Sequence, residues 1–173
     1  ASVFPTKVGE TVVLDLGANL ECDAENLVQF ALMGAIFCNA VLGVQKPSIG
    51  LLNIGTEDMK GHDEIRLAAS ILRERSLPGS FYGFVEGNDI MAGTVDVVVT
   101  DGFSGNIALK SAEGTAQLVS HFMKQAFKQS LLARLGYFLA QGALKKVRLR
   151  SDPRRYNGAM FLGLKGVCVK SHG

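Results

Sequence analysis

The sequence predicts an α/β protein built on a mostly parallel sheet, and three observations carry that prediction. Short apolar runs at 11–16, 48–54, 80–85 and 97–99 alternate with stretches of helical periodicity. The run Val97-Val98-Val99 contains no polar residue, as expected of a strand buried on both faces. Each run stops in a loop rich in Gly, Asn, Asp or Glu, at 15–19, 53–60, 86–89 and 101–106. With right-handed crossovers all four loops converge on one edge, where ligands of such sheets gather.

Taken in order, Thr11 to Leu16 forms the first strand and runs into Gly17-Ala18-Asn19. Asp23 then caps a helix that continues to Gly43, with Leu27, Phe30, Leu32, Ile36 and Val41 among its apolar positions. The second strand, Ser48 to Ile54, ends in Gly55-Thr56-Glu57-Asp58-Met59-Lys60-Gly61. A helix from Asp63 to Arg75 follows, closed by Leu77-Pro78-Gly79. The third strand is Ser80 to Val85, followed by the polar loop Glu86 to Asp89. After the valines, Ser104 is the candidate N-cap of the next helix, whose first N–H groups would face an anion above the strand end. Helical patterns then run to Ser130 and from Leu131 to Arg150, and Val167 to Lys170 reads as a closing strand. The whole chain, 1–173, is expected to be one domain with a protruding helical segment over about 111–152.

Composition narrows the function. Of 173 residues, 47% are hydrophobic, which fits a globular chain, and a formal charge of +2 lacks the basic excess of a nucleic-acid binder. Cys22, Cys38 and Cys168 are odd in number and lie in or beside apolar runs, so they read as reduced core or near-core thiols of a cytosolic protein. No secretory signal pattern is present, and no uncharged apolar run reaches the roughly 18 residues of a membrane span. The chain is therefore expected neither to leave the cell nor to cross the bilayer. Gly-x-Gly-x-x-Gly, the Walker pattern and the Gly-x-Ser-x-Gly elbow are all missing, which argues against a nucleotide site and a serine nucleophile. His62, His121 and His172 have no Cys or carboxylate at metal spacing, so no metal is expected.

Lys60, beside a glycine in a strand-end loop, can hold an anion or simply be a solvated lysine. Asn106 can donate its amide to an oxyanion beside a helix N-terminus, or can be a plain cap. Asp15 and Asp101 can equally be strand terminators. Leu135, Phe138 and Leu139 fall at helical spacing before Lys145, Lys146, Arg148 and Arg150. That apolar face with a basic end suits anionic lipid headgroups, an acidic partner, a dimer interface or a solvated surface.

Several segments in order along nearly the whole chain resemble the bacterial acyl-acyl carrier protein:phosphate acyltransferases of phospholipid synthesis. They are Leu14 to Asn19, Gly50 to Glu57, Lys60-Gly61, Val85 to Ile90, Asp96 to Asn106, and Val169 to Gly173. The resemblance implies a three-layer α/β/α fold related to phosphotransacetylases and to isocitrate and isopropylmalate dehydrogenases. It implies that inorganic phosphate attacks the thioester of a long-chain acyl-acyl carrier protein, giving an acyl phosphate for a membrane glycerol-3-phosphate acyltransferase. It further implies a homodimer on the cytoplasmic face of the membrane, and no metal or organic cofactor. Phosphate is itself a nucleophile, so such a site needs a cation and hydrogen-bond donors. Lys60 for phosphate and Asn106 for the oxyanion are the leading assignments. Asn19, Thr56, Glu86, Asp101, Lys170 and His172 stand in the matching segments as further substrate-binding candidates. Two alternatives are a short-chain phosphate acetyl- or butyryltransferase using coenzyme A thioesters, and a non-catalytic membrane-surface module; the apolar region from Leu131 to Leu149 favours the long-chain substrate. Family members are roughly twice as long and open on an Asp-Ala-Met-Gly-Gly-Asp strand that this chain lacks, so part of the site is expected to lie outside it.

Overall fold

The computed structural model describes residues 1–151 and 158–171. The chain divides into two compact units, residues 1–108 with 156–173 and residues 109–155.

The first unit is built on a five-stranded sheet in the order β1-β2-β5-β3-β4. Its strands are β1 (Ser2–Pro5), β2 (Glu10–Leu14), β3 (Ser48–Leu52), β4 (Ser80–Val85) and β5 (Val97–Val99). β1 lies antiparallel on the edge of β2, whereas β2, β5, β3 and β4 all run parallel. The mixed α/β class and the mostly parallel sheet are thus as the sequence predicts. Three short elements escaped it: β1, the helix α3 (Gly87–Ala92) within the loop read as polar, and β6 (Gly158–Phe161), which pairs antiparallel with β7 (Cys168–Ser171). The Met160 N–H donates to the Ala1 carbonyl at 2.8 Å, joining this hairpin to the β1 edge.

Helices α1 (Ala24–Leu42) and α2 (Asp63–Glu74) form one hydrophobic core with alternate strand residues, including Val12, Leu14, Ile49, Leu51, Val97 and Val99. Between them in the strands, Val13 and Val98 point to the opposite face and are buried as well, so the central strands are covered on both sides. The α1 boundaries follow from local chemistry. Asp23 accepts the Asn26 N–H at 2.7 Å while the Asn26 side chain accepts the Asp23 N–H at 3.2 Å, and Gly43 ends the helix at φ 74°. By length and mean hydropathy α1 could cross a membrane. Here Leu27, Val28, Ala31, Ala35 and Cys38 are buried against the sheet and α2, which makes it a core helix.

The cysteine reading holds for Cys38, which is buried, and in part for Cys22, which is half-buried; Cys168 is exposed, because β7 belongs to a small two-stranded hairpin with little to cover it.

α4 (Gly102–Ala126) starts in the first unit and continues into the second, which also holds α5 (Leu131–Ser151). Ser130 starts α5: its Oγ accepts the Ala133 N–H at 3.0 Å and its carbonyl the Arg134 N–H at 3.1 Å. The Phe127 and Tyr137 rings meet with centroids 5.2 Å apart. Leu118, Val119 and Phe122 on α4, and Leu131, Leu132, Leu135, Phe138 and Leu139 on α5, are each more than half exposed.

Candidate active site

Because β2, β5, β3 and β4 are parallel, the loops that follow them share one edge of the sheet, and β5 lies between β2 and β3. The loop after β2 is organised by Asp15. Its Oδ1 accepts the N–H groups of Leu16, Gly17 at 3.1 Å and Ala18 at 3.0 Å. Its Oδ2 accepts the Asn19 N–H at 2.7 Å and the Asn19 side-chain amide at 2.9 Å. Burial alone would push the Asp15 carboxyl up; the hydrogen bonds from Ala18, Asn19 and Leu16 outweigh burial and hold it below its ordinary value. Asp15 does more than end a strand: a carboxylate followed by Leu-Gly-Ala-Asn lets one side chain gather successive backbone N–H groups.

The first turn of α4 is seated on that loop. Gly102 donates to the Asn19 carbonyl at 2.7 Å. A β-carbon on Gly105 would stand 1.9 Å from the Asp15 carbonyl oxygen, so only glycine permits this approach. The cap of α4 is Asp101 rather than Ser104: its Oδ1 accepts the Ser104 N–H at 2.7 Å and its carbonyl the Gly105 N–H at 3.0 Å. Capping starts three residues earlier because a carboxylate at the end of β5 reaches the N–H three positions on. Gly102, Ser104 and Gly105 therefore have their N–H groups already engaged, so the helix end contributes its dipole more than an open cradle of amides. Asn106, exposed one residue later, lies against the same loop, with its Cβ and Cγ each 3.6 Å from where a β-carbon on Gly17 would be.

A cleft of about 150 Å³ opens beside the Asp15 loop, lined among others by Asp15, Asn19, Phe30, Met33, Phe161 and Lys170. Asn19 and Lys170 thus share one cleft, and Phe30 and Met33 give it an apolar wall that helical periodicity alone could not assign to a site. The loop after β3 carries Thr56 and Lys60, both exposed. The Lys60 N–H donates to the Glu57 carbonyl at 3.0 Å, and its ammonium makes no ion pair among the described residues. Lys60, in the loop after β3, and Asn106, in the first turns of α4 after the adjacent strand β5, are joined by no hydrogen bond among the described residues. Glu86 is half-buried at the start of α3, where Asp89 accepts its N–H at 2.8 Å.

His172 lies outside the described residues, as do the side chains of Arg148 and Arg150; Lys145 and Lys146 are exposed on α5. No group of three His, Cys, Asp or Glu able to hold a metal occurs among the described residues. Burial pushes the Cys38 thiol up to about 11 and raises that of Cys22, whose Sγ lies 3.8 Å from the Asn19 carbonyl. Neither is a thiolate at neutral pH, so neither is primed as a nucleophile.

The sequence was compared with known proteins. A family model described as fatty acid synthesis protein matches residues 1–173. Proteins named phosphate acyltransferase from Rhodospirillum centenum, Paramagnetospirillum magneticum and Rhodospirillum rubrum are 70%, 65% and 61% identical over the whole chain. The match spans 49%, 49% and 50% of their lengths, so the chain covers about half of the curated relatives it matches. Among solved structures, the EutD phosphotransacetylase from Staphylococcus aureus superposes with a TM-score of 0.51 at 17% identity, over 67% of this chain and 41% of that one. That likeness is one of fold, consistent with the mixed α/β, mostly parallel sheet found here. With the family model matched from end to end and relatives at this level of identity, the chain belongs to the fatty acid synthesis protein family.

Proposed function

We propose that the protein to which this chain belongs transfers an acyl group from the thioester of a long-chain acyl-acyl carrier protein to inorganic phosphate. The observation that carries this reading is the convergence of four strand-end loops with one unpaired lysine, Lys60, and one exposed amide, Asn106, and with no activated nucleophile of their own among the described residues. A phosphate oxygen attacks the thioester carbonyl carbon, the carbonyl oxygen takes the negative charge, and collapse breaks the C–S bond. Acyl phosphate forms, and the sulfur leaves as the carrier thiolate, which takes a proton. In this scheme Lys60 holds phosphate, while the Asn106 amide and the positive end of α4 face the developing oxyanion. Asn19 and Lys170, which share the cleft beside the Asp15 loop, contact substrate; Thr56, Glu86 and Asp101 are further candidates at the same edge, and His172 is a further candidate from its place in the sequence. No metal or organic cofactor takes part. The acyl phosphate would pass to a membrane glycerol-3-phosphate acyltransferase in phospholipid synthesis.

The exposed apolar residues of α4 and α5, with Lys145 and Lys146, support a homodimer resting on the inner, anionic face of the membrane. The test of the activity uses the full-length protein with palmitoyl-acyl carrier protein and phosphate, reading release of the carrier thiol. Asn106→Ala is expected to lower turnover about 100-fold, the scale of losing one oxyanion donor, and Lys60→Ala to lower the rate at subsaturating phosphate by weakening the hold on that substrate. Rates within about twofold of the parent would remove both residues from the mechanism. Coenzyme A thioesters in the same assay separate the short-chain reaction.

A further inference from the structure

We infer that Asn53 is a positioning residue for Lys60, an inference that rests on Lys60 being the phosphate holder. Asn53 immediately follows β3, and its N–H still donates to the Val85 carbonyl at 2.8 Å, so its backbone belongs to the rigid sheet. Its side chain is 8% exposed and crosses the base of the following loop, where Nδ2 donates to the Lys60 carbonyl at 3.1 Å. On its other side the amide abuts Gly61, which has φ 87°; a β-carbon there would stand 2.1 Å from Asn53 Oδ1. The amide is wedged between the strand end and the Lys60-Gly61 peptide.

Two observations separate this contact from ordinary loop packing. First, Asn53 Oδ1 is buried with no hydrogen-bond partner among the described residues. A buried acceptor left unpaired is destabilising, so an asparagine here is explained by the bond its other end makes to Lys60. Second, among the described residues the other side-chain tethers of the loop are exposed arginines of α2: Arg73 pairs with Asp58, and Arg66 donates to the Met59 carbonyl at 3.2 Å. Solvent-exposed contacts of that kind fix a backbone weakly. Asn53 is the tether that joins the Lys60 backbone to the sheet, and a cation that must meet phosphate within a fraction of an ångström depends on such support.

The test varies phosphate at saturating acyl carrier thioester in the full-length protein. Asn53→Ala is expected to raise the KM for phosphate about tenfold, leaving kcat within about threefold and the thioester KM unchanged. Lys60→Ala also raises the phosphate KM, and the double variant rises no further than Lys60→Ala alone, because Asn53 acts through Lys60. An unchanged phosphate KM in Lys60→Ala overturns the reading of Lys60, and the inference with it. A raised KM in Lys60→Ala with no change in Asn53→Ala, or with fully additive effects in the double variant, overturns the positioning role alone. Should Asn53→Ala fail to fold, Gly61→Ala displaces the same amide from the loop side and carries the same expectations.

Discussion

Asp15 shows how one side chain sets a loop. Its carboxylate is the acceptor for the backbone of Leu16 to Asn19, and the first turn of α4 rests on the result. Because its folded pKa lies below the ordinary value, its stabilisation is fully present above the ordinary carboxylate pKa and is lost as pH falls through the folded value. Asp15→Asn is therefore expected to cost about 1–3 kcal/mol at pH 7, read by urea denaturation. The gap to the parent should narrow as pH falls below about 4; a gap independent of pH would mean that the charge does not matter. The sequence made Asp15 visible as the end of a strand, yet not as the organiser of its loop, because that role depends on where the following N–H groups turn. Lys60 and Asn106 were legible as residue types suited to an anion. The support beneath Lys60 was not, since Asn53 and Lys60 meet only once the loop folds back on β3.

Among the elements, those with strong ends were readable. α1 announces itself with Asp23 and Gly43, and β5 with three valines closed by Asp101-Gly102. β1, α3 and β6 are four to six residues long, too short for periodicity to separate strand from loop, and β1 is recognisable only through its antiparallel pairing with β2. α4 depends on an approach that tolerates no β-carbon. Gly105→Ala is expected to lift the first turn off the Asp15 carbonyl, destabilise the fold by about 1–3 kcal/mol and reduce turnover by displacing Asn106. Thermal unfolding and the thiol-release assay check both parts, and an unchanged midpoint would show that the turn can shift without cost.

For the whole molecule, the sheet unit has a buried core of strand and helix residues, whereas in residues 109–155 large apolar side chains of both helices face solvent. Periodicity marks α5 as apolar on one face, and its lysines follow that face in the chain. Vesicle flotation of the full-length protein with anionic lipids is expected to show salt-sensitive binding that Lys145→Glu with Lys146→Glu reduces at least about 30-fold, at about 1 kcal/mol for each lysine near the surface. Binding that ignores both salt and these substitutions would exclude the lipid patch and leave the apolar face to a second copy of the chain.

The position of β5 between β2 and β3 also governs how the molecule comes together. Val12 pairs with Val97, roughly 85 residues later, so closing that contact costs about 4 kcal/mol of chain entropy before any neighbouring contact returns it. Helices α1 and α2 and the β3–β4 pair join segments closer in sequence, whereas the central strand must bridge β2 and β3, one of them across that long loop. The edge that carries Asp15, Lys60 and Asn106 is consequently expected to be among the last parts to assemble. Compaction of the core helices is therefore expected to precede completion of this edge, which stopped-flow circular dichroism beside a probe on the β2–β5 pair would check.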